Sequence, residues 1–459
     1  MATYQPKRET VLRQIIQEIV KYDILSYRRD ETQMPGEPTY QDICARKAKW
    51  NKFKSSKVVQ FCKTSRALGR KLVWVDTCCI DNTNANEPLD SIHAMSKWYA
   101  NSSLCIVYLA ESMSYADWDR ESWFTQGWTL PELLVPRRLK FYNKNWQPFT
   151  PPAIDDDRKH VDVVHHLENV TSIPKAVLTA DNSRGIHGRT FWEIISWASR
   201  RQTTHIEDRA YCLVGLLHVN FTITHGEGQR AFSRLVETIV AENPTSWDVF
   251  AWFGKPSADH FALPLSPASY PKFEDRMVEG RGRAQEFRIT PNELSMRSLP
   301  PIPMELSSVV DPDGPRKLFH VILKPRLVKG SPLGRYGNLL VECGATRSKL
   351  IRDAQQLSAC IINPHTTRGR GQGKLVVGAD YICFLLYSDN RGDDETSWMK
   401  LSTDNLLRIS CVGMPDTTGS DMVIRESNFK DTQSASMGGP ENFTLQLVTT
   451  SIQCPMPES

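Results

Sequence analysis

The 459-residue sequence lacks the features of several large classes of protein. No segment approaches the roughly 18 uninterrupted apolar residues of a transmembrane helix. The first ten residues, Met-Ala-Thr-Tyr-Gln-Pro-Lys-Arg-Glu-Thr, lack the apolar core of a signal peptide. The formal net charge is only +4, which is too small to predict a basic surface for nucleic acid. We therefore expect a cytoplasmic protein with no membrane span and no nucleic-acid partner.

Cysteine pairs and several catalytic motifs are also missing. The eleven cysteines are odd in number and include no Cys-x-x-Cys pair, so reduced thiols and no metal site are expected. No HExxH, GxSxG or Walker motif is present, which removes support for a metalloprotease, an α/β-hydrolase or a P-loop enzyme. The whole sequence is 40% apolar and 24% charged, a composition typical of a soluble globular protein. The length predicts two or three domains.

The stretch from Lys71 to Trp146 is the most informative part of the sequence. Short apolar runs bounded by turn residues alternate there with segments of helical periodicity, a pattern that predicts βαβ units around a parallel sheet. A strand over residues 22–29 and a crossover helix over 57–68 extend the pattern at its start. We expect a doubly wound sheet with strands near 22–29, 72–75, 104–109 and 139–142.

Ligands of such sheets bind outside the carboxyl ends of the strands. Here Tyr27, Arg28 and Arg29 end the first strand. The planar guanidinium of an arginine gives bidentate hydrogen bonds that suit a pyrophosphate. Alternatively, the two arginines form a solvated basic corner paired with Asp30 and Glu31.

Two acidic residues follow the second strand. Asp76 ends that strand, and Asp81 opens the loop that follows. A carboxylate at this place can bind ribose hydroxyls, although Asp76 can equally cap a turn through its side chain. Between them, Cys78 and Cys79 have no neighbouring cation in sequence that would lower a thiol pKa, which favours core packing for both.

The rest of the sequence predicts extensions of this α/β core. The predicted organisation is an N-terminal amphipathic helix over 1–20, the core over 21–150, a helical extension over 151–250, a Pro/Gly-rich connector over 251–315 and a β-rich domain over 316–459. The last domain has short alternating runs typical of an antiparallel sandwich or barrel. His225-Gly-Glu-Gly228 before a helix is either a phosphate cradle or, more simply, a tight helix entry.

Several motifs resemble those of the fungal heterokaryon-incompatibility (HET) domain family. They are Ile24-Leu-Ser26, Trp74-Val-Asp-Thr-Cys-Cys-Ile-Asp81, Trp123-Phe-Thr-Gln-Gly-Trp-Thr-Leu-Pro-Glu-Leu-Leu134, Phe141-Tyr142, Ser196-Trp-Ala198, Glu207-Asp-Arg-Ala-Tyr-Cys-Leu-Val-Gly215 and Gly226-Glu-Gly228. The resemblance covers roughly residues 20–250. Family members usually have His and Trp at Tyr27 and Arg28, and Arg and Gln at Gln126 and Pro131. The resemblance implies a role in non-self recognition and programmed cell death when incompatible strains fuse.

The same domain resembles TIR domains more distantly, which implies a small flavodoxin-like sheet. Tyr22-Asp-Ile-Leu-Ser-Tyr-Arg-Arg29 looks like the first TIR strand. Trp128-x-x-x-Glu132 looks like the TIR Trp-x-x-x-Glu motif, whose glutamate is catalytic in TIR enzymes that cleave NAD at the nicotinamide–ribose bond. The resemblance therefore implies Glu132 as the catalytic residue, NAD as the substrate and homo-oligomerisation through this domain.

Glu132 has two interpretations. Four residues apart on a helix, Trp128 and Glu132 point to one face, and a carboxylate can stabilise the positive charge that develops on the ribose. Alternatively, Glu132 lies in a first helical turn after Thr129 and complements the helix dipole. The first makes the protein a HET-domain NAD glycohydrolase, with Tyr27, Arg28, Arg29, Asp76, Asp81 and Trp128 as binding residues. The second makes it a non-catalytic self-association module that recruits cell-death partners, including an unknown protein of the incompatibility system.

Overall fold

A computed structural model describes most of the chain. The described residues are 20–28, 37–45, 53, 56–84, 86–180, 186, 188–224, 226–257, 260, 262–271, 287–290, 293–298, 301–310, 318–326, 335–363, 365–366, 372–376, 380–388, 398–412, 442–446 and 448–453. The chain divides into two compact units. One is Met1–Thr238 with Ser266–Lys272, and the other is Ile239–Leu265 with Phe273–Ser459.

The first unit is built on a four-stranded parallel sheet. Its strands are β1 (Tyr22–Tyr27), β2 (Leu72–Trp74), β3 (Leu104–Tyr108) and β4 (Leu139–Tyr142). They run in the order β2-β1-β3-β4, and all three neighbouring pairs are parallel. This is the order of flavodoxin-like sheets, in which the strand order reverses between the first and third strands. The predicted α/β class is confirmed, and so are the four predicted strands.

Helices connect and flank these strands. Their bounds are α1 (Tyr40–Cys44), α2 (Lys57–Ala67), α3 (Asp76–Cys79), α4 (Glu87–Asn101), α5 (Thr129–Leu134), α6 (Val161–Thr171), α7 (Lys175–Leu178), α8 (Phe191–Ala198), α9 (Asp208–Leu217) and α10 (Arg230–Glu242). Two 3₁₀ helices, Tyr115–Arg120 and Ser122–Thr125, fill the long connection between β3 and α5. The predicted helices over 57–68, 91–100 and 191–198 are confirmed.

The sheet is buried on both faces, as a parallel sheet requires. On one face Leu25, Ile106 and Val75 pack with Val58 and Phe61 of α2 in a single apolar cluster. Burial of apolar area at about 25 cal/mol per Å² makes such a cluster the main source of stability for the layer.

The helices α6 to α10 form a helical layer that packs against the other helices of the unit. Helix α9 contacts α4, α5 and α8. Gly215 on α9 makes the closest approach, since a Cβ atom there would lie 1.7 Å from Ser96 Oγ on α4. The layer is thereby held next to α5, which carries Glu132.

The second unit is β-rich and mostly antiparallel, as predicted. Its elements are β5 (Phe287–Thr290), β6 (Glu293–Ser298), β7 (Ile302–Val310), β8 (Phe319–Pro325), β9 (Arg335–Tyr336), β10 (Leu339–Cys343), α11 (Ala345–Asp353), β11 (Gln356–Ile361), β12 (His365–Thr366), β13 (Gln372–Val376), β14 (Asp380–Ser388), β15 (Trp398–Leu401), β16 (Arg408–Val412), β17 (Asn442–Gln446) and β18 (Val448–Gln453). One large sheet contains most of them, and β12, β13 and β17 form another. Val321, Leu323, Val341 and Leu385 are central to its core.

The structure bears on two further predicted segments, at residues 251–315 and 1–20. Residues 251–315, predicted as a connector, contribute β5, β6 and β7 to the large sheet. The amphipathic helix predicted over 1–20 lies outside the described residues except for residue 20. Within the described part of the chain, every helix is too short or too polar to cross a membrane.

Candidate functional site

A cleft of about 700 Å³ opens at the carboxyl ends of the parallel strands. Its volume falls within the roughly 300–1,000 Å³ of ligand pockets. The lining residues come from the ends of β1 and β3, from α2, α3, α4 and α5, and from the start of α9: Tyr27, Arg28, Lys57, Asp76, Ile80, Met95, Ala110, Glu111, Ser122, Gln126, Trp128, Thr129, Glu132, Thr204, His205 and Asp208. Doubly wound sheets bind ligands at this edge.

Five of the seven residues predicted for the site line this one cleft: Tyr27, Arg28, Asp76, Trp128 and Glu132. Arg29 lies outside the described residues. Asp81 lies on the loop after α3 and is not among the lining residues. It accepts hydrogen bonds from Gln41 Nε2 at 2.5 Å and from Thr83 Oγ1 at 2.6 Å, so it organises its own turn.

The end of β1 forms one side of the cleft. The Tyr27 hydroxyl donates to Asp76 Oδ1 at 3.4 Å, and Lys57 Nζ lies 5.4 Å from the centre of the Tyr27 ring. Arg28 is half exposed and forms an ion pair with Glu111, with 3.5 Å between Nη1 and Oε1. An exposed pair of this kind contributes little stability, so the guanidinium is available to an anion in the cleft.

Glu132 lies at the base of the cleft in a helix whose residues are all buried. Pro131 is tolerated beside it because the first turn of a helix has free backbone N–H groups in any case. The Ser26 hydroxyl donates to Glu132 Oε2, and Trp123 Nε1 donates to Ser26 Oγ at 2.9 Å. The strand end, the 3₁₀ segment and α5 are therefore joined through one carboxylate.

Burial raises the pKa of Glu132 to about 8. The negative charge of Asp76 contributes to this rise in the pKa, while hydrogen bonds from Ser26 and Tyr99 and the positive charge of Arg201 oppose it. A carboxyl group in a cleft with a pKa near the working pH suits proton transfer or charge stabilisation.

Trp128 and the helical layer form the remaining wall. Trp128 precedes α5 and is half-buried, so part of its ring faces the cleft. Thr204, His205 and Asp208 come from the segment that leads into α9. The site is therefore assembled from the sheet core and from the helical extension together.

Other motifs have structural partners. Glu227 accepts hydrogen bonds from Arg234 Nε at 2.8 Å, Arg234 Nη2 at 2.6 Å and the Tyr211 hydroxyl at 2.7 Å, while Gly226 and Gly228 have positive φ angles. These contacts fit the tight helix entry. Cys79 is exposed, so the interpretation of both Cys78 and Cys79 as core residues was wrong for Cys79. Cys79 is the last residue of the short helix α3, and Val75 N donates a hydrogen bond to its Sγ at 3.5 Å. Spacing in the sequence did not indicate that this position is exposed.

Sequence reasoning missed the residues that support Glu132 from behind. Ser26 and Trp123 lie within the quoted motifs. The sequence does not show which residue the Ser26 hydroxyl or the Trp123 indole is hydrogen-bonded to. Tyr99 donates to Leu25 O at 3.2 Å and lies deep in the core. Arg201 is buried. Its only signal in the sequence was that an arginine stands between two predicted apolar helices. Among the described residues no group of three or more His, Cys, Asp or Glu side chains is arranged to hold a metal ion.

The fold defines an α/β protein with an open cleft at the carboxyl edge of a parallel sheet. The family model described as "Heterokaryon incompatibility protein (HET)" matches residues 22–117. The chain is 35% identical over 185 residues to the vegetative incompatibility protein HET-E-1 of Podospora anserina, an alignment that covers 37% of this chain and 13% of that protein. No solved structure matches the chain. This protein therefore contains a region, residues 22–117, that matches the HET domain.

Proposed function

We propose that this protein acts in heterokaryon incompatibility and that its cleft cleaves NAD to cause cell death. The relative HET-E-1 is a vegetative incompatibility protein, and the chain corresponds to only 13% of its length, so the function of the whole protein is part of the proposal. The observation that carries the enzymatic part is the convergence of Arg28, Trp128 and Glu132 on one open cleft. The resemblance to TIR domains supplies the reaction.

The reaction breaks the bond between C1′ of the ribose and N1 of nicotinamide. The electron pair of that bond leaves with nicotinamide, which departs as a neutral molecule, and positive charge develops on the ribose. The ionised carboxylate of Glu132 stabilises that charge and accepts a proton from the attacking water. The products are nicotinamide, ADP-ribose and one proton. The positive charge of the nicotinamide ring in NAD also favours the ionised form of Glu132.

The other cleft residues bind and orient the substrate in this proposal. The ring of Trp128 stacks on a planar base. Arg28 exchanges Glu111 for the pyrophosphate, because a half-exposed ion pair is easily replaced. Asp76 accepts hydrogen bonds from ribose hydroxyls.

The alternative is a non-catalytic module that self-associates through the sheet domain and recruits a partner. It is favoured by the hydrogen bond from Ser26 to Glu132, which gives the carboxylate a structural role. Under this alternative, loss of Glu132 would reduce folding or assembly, and NAD would remain intact throughout.

NAD consumption by the purified chain separates the two functions. Wild type, Glu132→Gln and Glu132→Ala are compared at matched folding, with crowding or tethering to promote assembly. We expect nicotinamide release by wild type and a loss of about 100-fold or more in both variants. Glu193→Gln is the matched control, because Glu193 is equally buried in the first turn of α8, away from the cleft, and a glutamine preserves its capping box. If assembled wild type leaves NAD intact, the enzymatic proposal is wrong.

A further inference from the structure

Arg201 is a buried arginine that lies directly behind the helix of Glu132. It belongs to the segment between α8 and α9, and its neighbour Gln202 is hydrogen-bonded to the segment before α5. Gln202 N donates to Thr125 O and Gly127 N donates to Gln202 O, each at 2.7 Å. Gly127 fits tightly there, because a Cβ atom would lie 2.5 Å from Thr203 Cγ2. The backbone around Arg201 is therefore anchored to the base of the cleft.

The guanidinium group continues this connection. Arg201 Nη1 donates to Gln126 O and to Thr129 Oγ1, both at 2.8 Å. Thr129 Oγ1 has one hydrogen to give, and it lies 2.5 Å from Trp123 O and 2.9 Å from Gln126 O. Since Arg201 occupies a lone pair of the Thr129 oxygen, the hydroxyl hydrogen points to one of these carbonyls.

The chain of contacts continues from Trp123 to Glu132. Trp123 Nε1 donates to Ser26 Oγ, and the Ser26 hydroxyl donates to the Glu132 carboxylate. Arg201 therefore reaches Glu132 through a connected route of Thr129, Trp123 and Ser26. Fixed hydrogen bonds of this kind lock the rotamers of a functional side chain.

The charge of Arg201 is also unusual. Its pKa is lowered to about 10 by burial, while Cys212 and Glu132 oppose that change. Nη2 is buried and lacks a hydrogen-bond partner within the part of the chain that the structure describes. A buried cation is costly unless a counter-charge compensates it. Asp76, Tyr99 and Cys212 also affect the pKa of Glu132 or of Arg201. Among these groups Glu132 is the carboxylate whose negative charge raises the pKa of Arg201.

We propose that Arg201 is a positioning residue for Glu132: its hydrogen bonds hold α5 in place, and its positive charge stabilises the ionised carboxylate. This inference deepens the proposed NAD cleavage and assigns a role in the site to the helical extension. Arg201 touches no substrate in this proposal. It acts through Glu132 and Thr129.

The test is the pH at which Glu132 loses its proton, measured by carboxyl ¹³C NMR with glutamate labelling. The Glu132 signal is assigned by its absence in Glu132→Gln. Arg201→Gln is expected to raise this midpoint by about one pH unit or more, because an opposite charge nearby is lost. Arg201→Lys keeps the charge, so its midpoint should move less than half as far. Its NAD cleavage should still fall, because an ammonium group does not reproduce the planar fork.

Arg209→Gln is the matched control, since Arg209 lies nearby in the first turn of α9 and its Nε also lacks a hydrogen-bond partner among the described residues. It should leave both the midpoint and NAD cleavage at wild-type values. The inference is overturned if folded Arg201→Gln keeps the wild-type midpoint. If that variant does not fold, Arg201→Lys decides, and wild-type cleavage in it overturns the positioning role. Absence of cleavage in wild type contradicts the proposed function alone, because the midpoint is measured without NAD.

Discussion

Ser26 donates a hydrogen bond to the Glu132 carboxylate, and 106 positions in the sequence separate the two residues. Ser26 is completely buried at the end of β1, where it also accepts the hydrogen bond of Trp123 Nε1. The contact joins the first strand of the sheet to the helix that carries the proposed catalytic group.

Replacing Ser26 with alanine should both destabilise the protein and perturb Glu132. The change leaves Trp123 Nε1 buried without an acceptor, which costs about 1–3 kcal/mol of unfolding free energy. The pKa of Glu132 should rise further, because the Ser26 hydrogen bond lowers it. Urea unfolding measures the first effect, and carboxyl NMR the second.

Ser65→Ala is the control for that prediction. Ser65 Oγ donates to Asp23 Oδ2 at 2.7 Å, a similar buried pair outside the cleft. Ser65→Ala should lower the free energy of unfolding by a comparable amount, while the titration midpoint of Glu132 should stay at its wild-type value. Equal stability of Ser26→Ala and wild type would contradict the role given to this contact.

Glu132 should make the stability of the protein fall as pH rises. Its pKa is raised from 4.5 to about 8 in the folded state, mainly by burial. The native state therefore binds the proton more tightly, so the stabilisation is complete below about pH 4.5 and is lost as pH rises through 8. At about 1.4 kcal/mol per pKa unit, the change is roughly 3–5 kcal/mol.

Glu132→Gln removes this titration. The unfolding free energy of the variant, relative to wild type, should therefore increase from about pH 5 to about pH 8 and then level off in parallel urea titrations. A difference that does not vary with pH would show that the folded and unfolded pKa values of Glu132 are similar.

Glu227→Gln should destabilise the protein without affecting the cleft. The variant loses the bidentate ion pair with Arg234, in which the two side chains are 9% and 24% exposed, at a cost of about 1–3 kcal/mol. Burial raises the pKa of Glu227, but the hydrogen bonds of Arg234 and Tyr211 outweigh it and hold the pKa below its ordinary value.

The lowered pKa of Glu227 predicts how the stability of this variant depends on pH. The contribution of Glu227 to stability is present above the ordinary pKa and is lost as pH falls through the lower folded value. The melting temperatures of variant and wild type should therefore differ at pH 7 and converge in acid. NAD cleavage at pH 7 should be unchanged, because Glu227 does not line the cleft; a large loss would contradict the structural role of Gly226-Glu-Gly228.

Gly215→Ala should separate α9 from α4. The added methyl group would lie 1.7 Å from Ser96 Oγ and 2.7 Å from Ser96 Cβ, so a helix must shift. Overpacking of this kind costs about 1–3 kcal/mol, partly offset by the higher helix propensity of alanine. Urea unfolding should show that Ser96→Gly, added to Gly215→Ala, recovers the lost stability. Additive effects of the two substitutions would mean that these residues do not oppose each other.

Local pattern was sufficient to predict the frame of the first unit. The strands at 22–27, 72–74, 104–108 and 139–142 followed from apolar runs bounded by turn residues, and α2, α4 and α8 from helical periodicity. Periodicity worked here because a buried parallel sheet requires continuous apolar strands. It failed to predict β5, β6 and β7, whose surroundings are rich in Pro and Gly, because strand pairing depends on distant partners.

The sequence by itself determined the fold class, the HET resemblance and the edge of the sheet at which Tyr27, Arg28, Asp76, Trp128 and Glu132 meet. Chain direction places all carboxyl ends of parallel strands at one edge, so order along the chain was enough. Only the tertiary structure decided that Asp81 turns away, that Ser26 and Trp123 hold Glu132, and that Arg201 supports the helix from behind. Those contacts join residues about 70 to 106 positions apart, and burial, which sets the pKa of Glu132, depends on every layer packed around it.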